Sequence, residues 1–221
     1  MIKPIAGTVT LGPCLDRGLK LYKENFSTLF PATLLAMLIG AATCSICAGP
    51  MICGVLAIVL ALLRGKDPKP SVGDVFNGFS RFLPAFLSLL VVGFVFSVLT
   101  TILVIVPILG WIVAIAINWF VAPTVTFWAL LLVTDQNATF GEALTTPFKL
   151  LQDKKFWPMA LVSFVAGLVG ALGAIACGIG IFLTMPLTYC IIGAAYEQIY
   201  SGVPEAKADG PVTPEVLPPA Q

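Results

Sequence analysis

Cysteine is the reactive residue type whose spacing in this sequence suggests chemistry. Cys44 and Cys47 form a C-x-x-C pair, with Cys53 six residues further on. Two thiols at this spacing can exchange between dithiol and disulfide forms, as in thiol oxidoreductases. No Lys, Arg or His stands beside them to favour a thiolate, and Cys is also a common packing residue in buried helices. A redox pair at Cys44 and Cys47 is therefore one hypothesis, and structural packing is the other.

A second group of polar side chains lies inside long apolar segments. Asn118 and Thr101 are its main members, and Ser97 and Thr100 accompany them. Such groups can line a path for a neutral solute. Alternatively, the preceding helical turn and neighbouring helices use up their hydrogen bonds. No ionisable residue accompanies them, which argues against proton-driven or voltage-driven transport.

The sequence offers no residues for other common kinds of catalysis. The chain contains no His, which removes the commonest metal ligand and general base. It has no phosphate-binding glycine loop, no nucleophile–base set and a net charge of +1. We therefore expect no enzyme activity, no catalytic residue, no cofactor, no metal and no nucleic-acid partner.

The composition places these residues in a membrane. Only 10% of the 221 residues are charged and 58% are apolar, with a mean hydropathy of +1.00. Residues 25–63, 82–134 and 156–196 contain no charged residue. A single crossing takes about 20 residues, so each stretch is long enough for two. The pattern predicts an all-α membrane protein with six transmembrane helices arranged as three hairpins.

The breaks within the hairpins and the charges fix a predicted orientation. Helix breakers place the three turns near Gly49, Gly110 and Gly178, and none of these turns is charged. All charged residues then lie on one face, which the Lys/Arg bias makes cytoplasmic, together with both termini. The first stretch is only 39 residues long. Its alternative is a pair of helices that enters the membrane without crossing it.

The three units share a signature that predicts a threefold internal repeat. Each opens with Ser or Thr, an apolar residue and Gly, and the second and third have a capping-box carboxylate, Asp74 and Glu142. An amphipathic, cytoplasmic interfacial helix follows in each unit, starting near Leu11, Val72 and Phe140. A proline then marks the start of each hairpin: Pro31, Pro84 and Pro158. The predicted units are residues 1–9 (N-terminal cytoplasmic segment), 10–70, 71–138 and 139–200 (the repeats), and 201–221 (a disordered, Pro-rich cytoplasmic tail).

Three segments resemble a known family: Gly18–Phe26, Phe140–Leu144 and Ala194–Glu197. They are similar to an uncharacterised bacterial family of multi-pass membrane proteins, a domain of unknown function. That family is itself similar to the membrane domain fused to some glycerophosphodiester phosphodiesterases. The resemblance spans residues 10–200, implies the bacterial cytoplasmic (inner) membrane and transfers no catalytic residue.

We therefore expect a structural or accessory membrane component that packs against lipids and other membrane proteins, or associates with itself. Small residues such as Gly167, Gly170 and Gly173 are predicted to give a face for close helix contact. The alternative function is passive transport or translocation of a lipid or small neutral solute past Asn118 and Thr101. A second alternative is a membrane thiol redox protein.

Overall fold

The computed structural model describes residues 9–106, 108–151, 156–175 and 180–200, and every regular element within these ranges is helical. The predicted all-α class is confirmed, and the long apolar segments of the sequence are what indicated it. The helices are α1 Leu11–Glu24, α2 Phe26–Ala42, α3 Ala48–Leu63, a 3₁₀ helix Val72–Arg81, α4 Phe82–Val104, α5 Leu109–Ala116, a π-helical turn Ile117–Val121, α6 Ala122–Gln136, α7 Phe140–Leu151, α8 Phe156–Ile175 and α9 Gly180–Tyr200. The predicted tail 201–221, the start of the chain and the turn at Gly178 lie outside the described residues.

Four helical segments of the described ranges are long and apolar enough to cross a membrane: Val72–Val104, Leu109–Gln136, Phe156–Gly173 and Gly180–Tyr200. The helices α1 and α2 pass the same test only as a pair, and they are bent by 94°. With 16 residues, α3 is about 24 Å long, which is shorter than a hydrocarbon core of roughly 30 Å. The chain therefore has the helices of a multi-pass membrane protein, and the sixfold crossing remains a prediction.

The predicted capping box of Ser71 and Asp74 is present, and Glu142 makes the carboxylate half of the second one. The Ser71 amide donates to Asp74 Oδ2 at 2.7 Å, and the Thr139 amide and hydroxyl donate to Glu142 Oε2 at 3.1 and 3.0 Å. These bonds satisfy amide groups that the first turn of a helix leaves without partners. Because they favour the charged carboxylate, they lower the pKa of Glu142. The first unit differs, since the Thr10 amide donates instead to Gln198 Oε1 at 3.1 Å.

The prolines mark two of the three predicted helix starts. Pro84 and Pro158 are each the third residue of their helix, α4 and α8. The prediction that Pro31 marks a helix start was wrong, because α2 begins five residues earlier, at Phe26. The chain turns already at Asn25, whose side-chain amide donates to the Leu21 carbonyl at 3.1 Å. A helix end stabilised by that bond allows the next helix to begin at once.

The turn of the first hairpin also lies earlier than predicted. It is formed by residues 43–47, and Gly49 lies in the first turn of α3. Thr43 stabilises the turn, since its hydroxyl donates to the Ile39 carbonyl at 2.7 Å and accepts the Cys47 amide at 3.2 Å. In the second hairpin the break precedes Leu109, which places Gly110 inside α5. A Gly or Pro near a turn is equally compatible with the first turn of the next helix.

The predicted amphipathic segment at Val72 forms a 3₁₀ helix. In this geometry side chains three residues apart lie above one another. The sequence has Phe at such spacing, and the rings of Phe76, Phe79 and Phe82 stack with centroids 6.3 and 6.1 Å apart. Phe86 continues the row into α4 at 5.7 Å. A phenylalanine at every third residue therefore fits the 3₁₀ helix, which is more tightly wound than the predicted α-helix.

Each amphipathic helix packs on the last helix of another unit. The 3₁₀ helix packs on α3, α7 packs on α6, and α1 packs on α9. The helix pairs α2 and α3, α4 and α6, and α8 and α9 also pack against each other. Close approach occurs where glycine removes the side chain, as at Gly18, whose position would place a Cβ 3.0 Å from the Ile191 Cα.

The predicted glycine face on α8 is confirmed at two of its three positions. A Cβ at Gly173 would lie 2.5 Å from the Gly180 carbonyl oxygen, and one at Gly170 would lie 3.1 Å from Thr188 Oγ1. At Gly167 a Cβ would meet nothing within 4 Å, so the prediction was wrong there. Three-residue spacing moves a helical position by about 300° per step. Two such steps separate Gly167 from Gly173 and move it about 120° around the helix, away from the contact face.

Candidate functional site

The second hairpin has an outer half, Phe94–Ile115, whose apolar side chains are largely exposed. These include Phe94, Val95, Val98, Ile102, Ile105, Leu109, Trp111, Ile112 and Ile115. The buried core lies elsewhere, chiefly in α3, the second half of α6 and α9. A contiguous apolar surface of this kind is stable only against lipid or protein. The outer half is therefore the part of the described chain that most requires a membrane.

A groove of about 380 Å³ lies along this hairpin. Its walls come from α4, the π-helical turn and α6, and therefore from one hairpin. Its lining residues are Val92, Gly93, Phe96, Ser97, Thr100, Thr101, Asn118, Ala122 and Thr126. Gly93, Ser97 and Thr101 follow one another at four-residue spacing, which places these small residues on one face of α4. The structure thus brings the predicted residues Asn118 and Thr101 together.

The polar side chains of the groove donate their hydrogen bonds to other groups of the same hairpin. The Asn118 side-chain amide donates to Thr100 Oγ1 at 2.8 Å and to the Ala114 carbonyl at 3.0 Å. Thr101 donates to the Ser97 carbonyl at 2.8 Å, and Thr126 donates to the Ala122 carbonyl at 2.7 Å. Asn118 therefore bridges the two helices. Its side-chain oxygen accepts no hydrogen bond from the described residues, and the side chain is exposed.

The π-helical turn positions Asn118. Pro123 follows this turn and has no amide hydrogen, so the usual bond to the carbonyl of Trp119 is missing. The helix widens there, as π-helical turns do, and such turns are frequent at functional sites. The outside of the turn is fixed to α8, because Phe120 stacks on Phe164 with centroids 4.3 Å apart. Asn118 is thus positioned by the fixed backbone of one turn.

A second polar cluster, which sequence reasoning missed, joins the ends of three helices. Arg64 follows α3 and bridges Asp135 of α6 at 2.5 Å and Glu197 of α9 at 2.6 Å. Both carboxylates are nearly buried, with side chains 8% and 7% exposed. The hydrogen bond that the Arg64 guanidinium donates to Asp135 raises the pKa of Arg64. The sequence contains an indication of this cluster, because Arg64, Asp135 and Glu197 are the first charged residues after the three charge-free segments.

Two further arginines bind helix ends nearby. Arg81, directly before α4, donates to the carbonyl oxygens of Val133 and Thr134, the second at 2.8 Å. Arg17 of α1 donates to the Leu63 carbonyl at 3.4 Å. A cation at a helix C-terminus satisfies free carbonyl groups and complements the helix dipole. The start of α4 and the end of α6 therefore form one charged end of the second hairpin.

The helix α3 has both of its ends near this charged end. Its last turn is joined to Asp135 through Arg64. Its first turn touches the start of α4, where a Cβ at Gly49 would lie 2.6 Å from the Ala85 carbonyl oxygen. Gly110 packs near Leu103, which is 18 residues or about 27 Å further along α4. Gly49 and Gly110, whose surroundings were predicted to lie on one side of the membrane, are thus separated by most of the length of α4.

The cysteine pair lies in the turn between α2 and α3. Cys44 is exposed, Cys47 is partly buried, and both are free thiols. Cys44 and Ser45 have positive φ angles of 48° and 69°. Among the described residues, no three His, Cys, Asp or Glu side chains are grouped so that they could hold a metal. The turn therefore presents one accessible thiol, at Cys44.

Comparisons of the chain with protein-family models, with curated proteins and with solved structures found no match.

Proposed function

We propose that this chain is a non-catalytic accessory component of a membrane, and that it binds a transmembrane helix of another membrane protein in the groove of α4 and α6. The observation that carries the proposal is the exposed Asn118 side chain in a groove next to the exposed apolar outer half of the second hairpin. Its oxygen has no donor among the described residues, and an amide facing lipid without a partner is unfavourable. A donor on a partner helix relieves that cost.

The shape of the groove suits a helix. Gly93 is exposed, and a Cβ there would meet nothing within 4 Å, so a second backbone can approach closely at this position. Small residues and interhelical hydrogen bonds drive helix association in membranes, at about 0.6 kcal/mol for an average hydrogen bond. A transport path favours the opposite arrangement, in which polar groups of several hairpins face a common interior. The groove is lined by one hairpin only.

The same geometry supports a particular topology. We infer that the second and third hairpins cross the bilayer, and that α2 and α3 enter it from the charged side and return. The short length of α3 and its contacts with both Ala85 and Asp135 support this arrangement over six crossings. The charged side is the cytoplasmic one in this proposal, because it carries the Lys and Arg residues. The bacterial cytoplasmic membrane is proposed from the resemblance alone.

The threefold repeat also gains support from the packing. The amphipathic helices of the three proposed units pack on the last helices of units 3, 1 and 2 in turn, which closes the units into a ring. Arg64 directly follows α3, Asp135 and Glu197 lie in the last turns of α6 and α9, and the three side chains meet. Corresponding positions that meet at one centre are expected of repeated units around an axis.

Photo-crosslinking in the native membrane tests the function. A benzophenone amino acid replaces Ser97 in the groove or, as the control, Val95. Val95 is two residues away on another face of α4 and 48% exposed. We expect a discrete protein adduct from position 97 and mainly lipid adducts from position 95. Lipid adducts alone from both positions would refute a protein partner.

Cysteine labelling tests the topology. A variant that retains only Cys44 is compared with single-cysteine variants Lys66→Cys and Leu109→Cys, using a membrane-impermeant maleimide on sealed vesicles. Cys44 is expected to react from the same side as Lys66→Cys and not from the side of Leu109→Cys. Reaction of Cys44 from the Leu109 side would establish that the first hairpin crosses.

A further inference from the structure

A second cleft, of about 460 Å³, opens at the corner between α1 and α2. Its other wall is the segment that follows α3. Four charged residues line it: Glu24, Lys66, Asp67 and Lys69. Leu21 and Leu62 form its apolar part. We propose that this cleft binds the headgroup of a zwitterionic phospholipid with a primary ammonium group, of the phosphoethanolamine class.

The walls of the cleft are held by backbone hydrogen bonds. Gly65 has a positive φ of 61°, a conformation that glycine adopts without strain. The amides of Gly65 and Lys66 donate to the carbonyls of Leu62 and Ala61 at 3.2 and 3.0 Å, as at many helix C-termini. Opposite, Asn25 donates to the Leu21 carbonyl at the corner where the chain bends by 94°. The two walls therefore have defined shapes before any ligand arrives.

The charges of the cleft match a zwitterion. Two lysines and two carboxylates give a net charge of zero, and across the part of the chain that the structure describes none of the four forms an ion pair. A phosphodiester gains from the two ammonium groups of Lys66 and Lys69. The ligand's ammonium group gains from Glu24 and Asp67. A headgroup without an ammonium group would leave Glu24 and Asp67 without a cation, and their repulsion of the phosphate would not be compensated.

The surroundings favour a lipid as the source of the headgroup. Tyr22, Phe26 and Phe30 form a row of rings beside the corner, with centroids 5.4 and 5.2 Å apart. Phe26 is 41% exposed. Aromatic side chains are enriched at the level of the headgroups, and such a row gives an acyl chain an apolar path away from the cleft. The occupant is thus a membrane lipid and not a soluble phosphate ester.

Lipid binding to the purified protein tests this site independently of the groove. Delipidated protein in detergent is titrated with dioleoyl phosphatidylethanolamine, phosphatidylcholine or phosphatidylglycerol, and bound lipid is counted by native mass spectrometry. We expect phosphatidylethanolamine to bind several-fold more tightly than the other two. The double variants Lys66→Gln/Lys69→Gln and Glu24→Gln/Asp67→Asn should each abolish that preference. The double variant Lys20→Gln/Lys23→Gln removes the same charge from α1 outside the cleft, and should retain it.

Each other outcome overturns the proposal. Equal binding of the three lipids would exclude headgroup recognition, and an unchanged preference in both cleft variants would place the site elsewhere. Soluble glycerophosphoethanolamine that competes as well as the lipid would identify a water-soluble ligand instead. The melting temperature of each lipid-free variant is measured first. If a double variant loses the preference for phosphatidylethanolamine but is also unfolded at the assay temperature, the loss is a folding effect. The single variants Lys69→Gln and Asp67→Asn are then used to test the site.

Discussion

The contact between the 3₁₀ helix and α3 makes a specific prediction for Gly78→Ala. A Cβ at this position would lie 2.6 Å from the Gly54 amide nitrogen, and closer still to the Pro50 carbonyl oxygen. Real Cβ atoms essentially never approach within 3.0 Å. Since these are backbone atoms, no rotamer change relieves the clash. The two helices must separate by more than 0.4 Å, the difference between 3.0 and 2.6 Å.

The separation costs more than alanine gains in the helix. Overpacking a well-packed site costs about 1–3 kcal/mol, and alanine recovers roughly 0.5–1 kcal/mol of backbone entropy relative to glycine. The interface cannot yield towards solvent, because Val75 is fully buried and Cys53 is 2% exposed. We therefore expect a net loss of about 1–2 kcal/mol. For a chain of this length that lowers the melting temperature by about 2–8 °C.

The buried cysteines provide the assay. Cys14, Cys53 and Cys190 are buried free thiols, so a thiol-reactive dye reports their exposure when the purified protein is heated in detergent. All variants carry Cys44→Ser, Cys47→Ser and Cys177→Ser, so that the dye reports only these three buried thiols. Gly93→Ala in α4 is the control, because its Cβ meets nothing within 4 Å, and its melting temperature should stay level or rise. A Gly78→Ala variant that melts at or above its parent would refute the backbone contact.

Two further predictions concern the charged groups. Arg64→Gln removes the guanidinium from two nearly buried carboxylates, and should cost about 2–3 kcal/mol, since Arg64 itself is a third exposed. Arg17 makes one long hydrogen bond, so Arg17→Gln should lower the melting temperature less than Arg64→Gln in the same assay. An equal loss of stability would mean that the cluster does not join the three helix ends. The lowered pKa of Glu142 means that its cap stabilises α7 above the unfolded pKa of about 4.3 and is lost as the pH falls through the lower folded value. The protection of the amide hydrogens at the start of α7, measured relative to their intrinsic exchange rate at each pH, should therefore fall below about pH 4.3. Protection that does not change with pH would contradict the cap.

Local chemistry was predictable where neighbouring residues determine it. Ser71 with Asp74 and Thr139 with Glu142 identify helix starts, because the partners are three residues apart and need no tertiary structure. Charge-free stretches likewise identify apolar helices, because burying charge in lipid is costly whatever the fold. The start of α2 was missed for a related reason. Asn25 ends α1 through a bond within its own turn, and Pro31 gave a stronger but misleading signal.

Long-range geometry was not predictable from one sequence. Asp135 and Glu197 are 71 and 133 residues from Arg64, and no local pattern states that they meet. The close packing of α3 on the 3₁₀ helix follows from Gly54 and Gly78, which remove the side chains between two backbones. Asn118 was predicted as a polar intramembrane residue. Its exposure on a groove depends on how far the second hairpin extends beyond the core.

Co-purification from the native membrane tests the central claim, that the groove of α4 and α6 holds a partner helix. Gly93→Leu fills the groove, whereas Val95→Leu adds one methylene on another exposed face of the same helix. We expect a discrete second membrane protein to co-purify with the wild-type chain and with Val95→Leu, and to be lost with Gly93→Leu. The same set of proteins with all three, after mild extraction and quantitative mass spectrometry, would contradict the claim.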